Sequence, residues 1–233
     1  MRKTLYLKLI LAYIIFGLFG FLVVATFVSN MTFDHLTKEE ADSLYREATL
    51  IANTYATDLY NNEISLEAVK SQLDALDTYL DATLWIINPS GRMILDSSSP
   101  LDLENEIMIE DFDPTITEGS YYTVGNFFHA FDEEMLSVFA PITSDFKVKG
   151  YVVIHSSMKG IRAETDILLN ISYIMLIILF LLSLIILIFF TEIVYIPLRR
   201  ITLATEQYAS GNMHYEFSVE SEDEMGYLAA TLS

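Results

Sequence analysis

Cysteine is absent from the 233 residues. No disulfide framework, thiolate nucleophile or cysteine-based metal site can therefore exist. Basic residues are scarce: 13 Lys and Arg stand against 32 Asp and Glu, a net charge of −19. Binding nucleic acid through its phosphates needs the opposite balance, so no nucleic-acid partner is expected. Also missing are a glycine-rich dinucleotide turn, a phosphate-binding P-loop and a His-Glu-x-x-His zinc motif. The histidines His35, His129, His155 and His214 lie far apart, and no pair has metal-ligand spacing on a helix. His129 and His155 read as structural histidines in strands, and His214 as a solvated connector residue. The chain is thus expected to hold no catalytic residue, no metal and no cofactor of its own.

What the chain has is two long apolar runs. Residues 167–190 read ILLNISYIMLIILFLLSLIILIFF, without a charge. As a helix this run reaches roughly 35 Å, enough to cross a hydrocarbon core of about 30 Å with some tilt. Only a helix pairs every backbone group within such a segment in lipid. Residues 9–28 form a second run, too long for a secretory signal, and read as an uncleaved first span. Between them, residues 29–166 hold about 25 acids and 8 bases. The remaining bases, Arg2, Lys3, Lys8, Arg199 and Arg200, flank the two runs. The positive-inside bias places both termini in the cytoplasm and the acidic middle outside, in a multi-pass plasma-membrane protein.

The outer stretch starts with a helical pattern over residues 37–60. Ala41, Leu44, Ala48, Ile51, Tyr55 and Leu59 form one stripe, which suits packing on a sheet or a seam between two copies. Asn61 and Asn62 break it. Ser65 offers an N-cap and Glu67 a favourable first-turn charge for a second helix carrying Leu66, Val69, Leu73, Leu76 and Leu80. Residues 84–87 and 93–95 read as a hairpin around Asn88-Pro89-Ser90-Gly91. Residues 100–119 are irregular and acidic: Asp102, Glu104, Glu106, Glu110, Asp111, Asp113 and Glu118 have no base among them. This reads as a solvated loop, with capture of a cation as the sharper alternative. Further strands are expected over 121–128, 136–142 and 151–156, with turns at 132–134 and 144–150. Two helices and about five antiparallel strands make an α+β domain.

This order resembles the extracellular Cache (PAS-like) sensor domains of bacterial transmembrane receptors. The resemblance is carried by residues 73–76 and 84–97, then by Val138-Phe139-Ala140-Pro141-Ile142 and Gly150-Tyr151-Val152-Val153-Ile154. After the second span, Pro197, Ile201, Ala204 and Tyr208 precede a polar connector with Gly211, Met213 and Phe217. Asp223-Glu224-Met225-Gly226 then opens a short helix with Leu228 and Leu232. This part is similar to a HAMP domain, a parallel four-helix coiled coil made by a dimer. Pro197 costs little near a helix start, and Gly211 permits the left-handed turn that ends a helix.

The resemblance implies the front half of a sensor histidine kinase of a two-component system: residues 1–8 cytoplasmic, span 9–28, sensor 29–166, span 167–190 and HAMP 191–233. It implies a homodimer and a response regulator reached through a kinase core that this chain does not carry. ATP and Mg are expected for that core. Chemotaxis receptors and cyclic-dinucleotide synthases share such a front half, and a membrane-tethered binding protein is a further alternative. In Cache-like folds the ligand lies against the sheet under the long loop, which suggests Tyr121, Tyr122, Phe127, His129 and Phe139 as its lining. Pro197, Ile201, Tyr208, Gly211, Met213, Phe217, Glu224, Met225 and Gly226 are the expected relay residues. Arg92 is the only arginine between residues 47 and 161, and it sits at a turn, so a neutral or cationic ligand is favoured.

Overall fold

The computed structural model describes residues 5–61, 64–101, 107–115, 119–219 and 221–232. These fall into two units, Val28–Leu168 and Met1–Phe27 with Leu169–Ser233. The first apolar run forms α1 (Leu5–Val23) and a wider π-helical turn (Val24–Val28). Helix continues through α2 (Ser29–Ile51), a second wide turn (Ala52–Ala56) and α3 (Thr57–Tyr60). Its start at Ser29 is earlier than the periodicity alone places it. Ala41, Leu44, Ala48 and Ile51 are all buried on the domain's own sheet, the first of the two uses of that stripe. α4 (Leu66–Leu80) begins where expected, and the Ser65 Oγ accepts from the Ala68 N–H at 3.3 Å.

Five strands follow: β1 (Thr83–Ile87), β2 (Met93–Asp96), β3 (Tyr122–Gly125), β4 (Met135–Ser144) and β5 (Lys147–Ser157). They make one sheet in the order β2-β1-β5-β4-β3, and every pairing is antiparallel. The β1–β2 hairpin closes through Asn88, whose side-chain oxygen accepts from the Ser90 and Arg92 N–H groups at 3.0 and 2.9 Å. One expectation is narrowed and another fails. The segment 144–150 is not a long turn: β4 and β5 meet through Asp145 and Phe146, both left-handed at φ 53° and 61°. A two-residue hairpin turn of this kind usually announces itself by Asn-Gly, and here no glycine marks it. The strand expected over 121–128 stops at Gly125, because Phe127, Phe128 and His129 are also left-handed, at φ 44°, 54° and 62°.

α5 (Met158–Phe190) follows β5 directly. In the second unit, α5 and α1 pack antiparallel. Tyr13 stacks on Phe180 at 4.6 Å and donates to its carbonyl, and Phe21 stacks on Tyr173 at 5.4 Å. Two helical stretches, Tyr6–Tyr60 and Met158–Ala209, are long and apolar enough to cross a membrane. A wide turn (Thr191–Tyr195) leads into α6 (Ile196–Ala209), and α7 (Glu224–Leu232) follows the connector. Pro197 is therefore not at a free helix start. Its ring would crowd the carbonyl four residues back, at Ile193, and that residue lies in the widened turn.

Candidate functional site

Alternate side chains of the sheet point to two faces. One face, with Leu84, Ile86, Val138, Ala140, Val152 and Ile154, packs under α2 and α4. The other carries Trp85, Ile87, Phe139 and Val153, covered by Ile109 and Phe127 with Phe112, Phe128 and Phe131 around them. The five expected lining residues are divided between these faces. Phe127 and Phe139 meet on the covered face, with ring centroids 5.6 Å apart. Tyr121 and Tyr122 pack with the helix face instead. Tyr121 lies 4.6 Å from the Tyr45 ring and donates to Asp42, a bond that helps push its phenol up to about 12. His129 is exposed in the turn, and its Nδ1 lies 3.0 Å from Asn126. Tyr121 and Tyr122 precede the left-handed turn, which sends the following aromatics over the opposite face.

The centre of the covered face is His155, fully buried, with Nδ1 2.8 Å from the Ser137 hydroxyl on the paired strand. Its ring lies 4.4 Å from both Trp85 and Phe127 and 4.8 Å from Phe131. Burial lowers its pKa from 6.5 to about 3, so the imidazole is neutral. Among the described residues, neither His155 Nε2 nor the buried Trp85 Nε1 has a hydrogen-bond partner. His155 is thus not the fully satisfied core histidine expected from its place in a strand. Trp85 stacks on Phe131 at 5.1 Å with ring planes 14° apart. Trp85 and His155 were not among the expected lining residues because an inward ring in a strand reads as core, and Phe131 because it follows a turn the sequence does not mark.

The covering turn is tied to the end of the sheet. Beyond Phe131 the chain runs through Glu133 and Glu134, which pair with Lys159 and Arg162 on α5. The Met158 N–H also donates to the Glu134 carbonyl at 3.2 Å. The hydrogen bond from Lys159 lowers the pKa of Glu133. Near the same end, Arg162 lies over the Phe33 ring of α2 at 5.1 Å.

A cleft of about 290 Å³ lies between α2 and α5, with Glu39, Glu40, Arg46 and Glu164 on its wall. Burial first, then the charges of Glu164 and Glu39, raise the Glu40 pKa above its usual 4.5. The fold therefore disfavours the carboxylate. That penalty is absent below pH 4.5, where both states are protonated, and complete above the raised folded value. Glu40→Gln is expected to raise Tm at pH 7 by roughly 1–2 °C, with the gain vanishing in acid. A melting series between pH 7 and pH 4 checks this, and an unchanged or lower Tm at pH 7 contradicts it.

In the other unit the expected relay residues are brought together in part. The Tyr208 hydroxyl donates to the Tyr215 carbonyl at 3.0 Å, and its ring lies 6.3 Å from Phe217. Gly211 takes φ 93° just past the end of α6, as expected. Ile201 is buried, whereas Met213 is 72% exposed and does not pin the connector within one chain. Glu224 opens α7, with Met225 and Gly226 in its first turn, but the residue that caps it is Asp223. Its Oδ1 accepts from the Met225 and Gly226 N–H groups at 2.9 and 3.3 Å and from the Ser221 hydroxyl. These bonds lower its pKa. A Cβ on Gly226 would stand 1.8 Å from the Ser221 carbonyl oxygen, so only glycine fits. His214 is exposed in the connector.

Of the acidic run, Asp102, Glu104, Glu106 and Glu118 lie outside the described residues. Asp113 is exposed and accepts from Thr115, which lowers its pKa. Among the described residues no three His, Asp or Glu side chains are grouped so as to hold a metal ion.

No protein-family model and no curated protein matches the sequence. Among solved structures, the chain is similar to the sensor domain of the histidine kinase DctB from V. cholerae. The identity is 14% over 57% of this chain and 55% of that one, with a TM-score of 0.40. It is also similar to the ligand-binding domain of the Campylobacter jejuni chemoreceptor Tlp3 in complex with 4-methylisoleucine. There the identity is 14%, the coverage 57% and 61%, and the TM-score 0.36. The sensory domain of Tlp3 with isoleucine bound gives 13%, 63% and 66%, and 0.38. The chain thus spans between 55% and 66% of the length of these structures. A likeness this loose assigns neither fold nor ligand.

Proposed function

We propose that this chain is the sensing and signal-passing part of a dimeric bacterial membrane receptor, a two-component sensor histidine kinase. The outer α+β unit is a Cache-like sensor and reads a small extracellular ligand. The two apolar helices cross the membrane with both termini in the cytoplasm. Residues 191–233 form a HAMP-like adaptor that hands the change to a kinase core. One observation carries the reading: the turn over the aromatic cluster leads into Glu133 and Glu134, which grip α5 through Lys159 and Arg162. α5 is the element that also holds the second apolar run. A ligand that repositions the turn therefore has a short path to the membrane helix. Such a ligand shifts the balance between two arrangements of the dimer only by its difference in affinity for them.

The chain fused through Ser233 to an autokinase core tests this. Arg162→Glu should change the basal phosphorylation rate by about threefold, and adding Glu134→Arg should bring it back. Output that ignores both variants rejects the relay. Compartment reporters at Asp74 and Asp223 test the topology, and finding both on one side of the membrane ends this reading.

A further inference from the structure

We infer that the covered face of the sheet receives an uncharged, flat ligand with a carbonyl-like acceptor, held by Trp85 and His155 and closed in by the turn at residues 127–129. This rests on reading the outer unit as a sensor and adds the chemical class of what it reads. The first observation is the pair of orphaned polar atoms. Trp85 Nε1 and His155 Nε2 are both buried without a partner among the described residues, on rings whose centroids lie 4.4 Å apart. Each such atom costs about 1–3 kcal/mol, and folds rarely leave two beside each other. The indole N–H can only donate, so its complement is an acceptor. His155 can supply an acceptor or a second donor, according to which way the proton on Ser137 or Nδ1 points.

The second observation is the cover. Phe127, Phe128 and His129 hold consecutive left-handed conformations. Bulky residues there cost on the order of 1 kcal/mol each, so the closed turn sits above its relaxed energy. Phe131 lies flat on Trp85 and is only half buried. A planar ring sliding onto Trp85 in its place keeps the stacking and offers an acceptor to the Trp85 N–H. The third observation is charge. The walls beside His155 are Trp85, Phe127, Phe131, Phe139 and Val153, and none carries a charge. A carboxylate or ammonium group entering here loses its hydration to rings that return little of it.

Trp85 is the only tryptophan, so the full chain labelled with 15N-tryptophan in lipid nanodiscs shows one indole N–H resonance. The probes are acetophenone, ethylbenzene, benzoate and L-phenylalanine, each referenced to empty nanodiscs. Acetophenone should move the resonance downfield and saturate. Ethylbenzene, which has the body without the acceptor, should bind about tenfold more weakly. Benzoate and L-phenylalanine should be weaker by at least about the same factor. His155→Phe should weaken acetophenone, and Phe127→Leu, which keeps an apolar cover, serves as a second variant should the first not fold. If benzoate or L-phenylalanine moves the resonance at lower concentration than acetophenone, the ligand class is overturned and the sensor reading survives. If none of the four moves it, the site is overturned, and the sensor reading then stands or falls on the Arg162→Glu result.

Discussion

Gly150→Ala unfolds the outer unit at a markedly lower urea concentration, by about 3 kcal/mol, and Gly150→Val is worse. Gly150 is buried in β5 opposite Ile142. A Cβ there would lie 2.6 Å from the Ile87 carbonyl oxygen and 2.9 Å from the Tyr60 hydroxyl. The first of these atoms is backbone of β1, the strand paired with β5, where Ile87 faces Tyr151. It cannot retreat without opening the ladder. The second is a buried hydroxyl with no partner among the described residues, at the end of α3. The cost is a large share of the roughly 5–15 kcal/mol that hold a typical domain. Gly160→Ala is the counter-case: nothing lies within 4 Å of that Cβ, in the first turns of α5. It should stabilise by about 0.5 kcal/mol. Trp85 fluorescence in urea reads both. An unshifted midpoint for Gly150→Ala would mean that the strands do not approach as closely as this.

The layout was legible where local chemistry alone decides. Ser65 capped the helix it was expected to cap, and Asn88 to Gly91 made the turn between β1 and β2. The Ala41 to Ile51 stripe marked the helix residues that pack on the sheet. What the sequence hid depends on contacts between distant residues or on backbone that side chains do not advertise. The turn expected over 144–150 closes in only two residues, Asp145-Phe146, and the left-handed run at residues 127–129 contains no glycine, so nothing in the pattern warned of that second turn.

The site suffered most from the second of these. The resemblance to Cache-like folds suggested Tyr121, Tyr122, Phe127, His129 and Phe139 as one lining, with the strand expected to run on to residue 128 instead of turning. The turn instead sends Phe127 over Trp85 and leaves His129 in solvent. Pairing of Glu133 and Glu134 with Lys159 and Arg162 could not be read from spacing, since more than 20 residues separate the partners. Asp223 was visible as an acid before a helix. Only the geometry shows that it, rather than Glu224, takes the hydrogen bonds at the N-terminus.

Acid should destabilise the outer unit through His155 in a way that one substitution removes. Burial lowers this imidazole from 6.5 to about 3. In the unfolded chain it takes a proton near pH 6.5, while in the folded one it stays neutral until far lower pH. The stability from the neutral group is complete above pH 6.5 and is lost as pH falls toward 3, by about 1.4 kcal/mol per pH unit. Carboxylates also titrate in this range, so the informative quantity is the difference between the native chain and His155→Phe. That difference should move against the native chain by about 2–3 kcal/mol between pH 6.5 and pH 4.5, whatever the variant's own stability at pH 7. Urea midpoints followed at Trp85 measure it, and parallel curves would mean that the imidazole is solvated. A charge on His155 is tolerable only if water reaches it, and the cover of Phe127 and Phe131 keeps water out. Acid therefore works against the closed turn itself, and through Glu133 and Glu134 against the grip of that turn on α5.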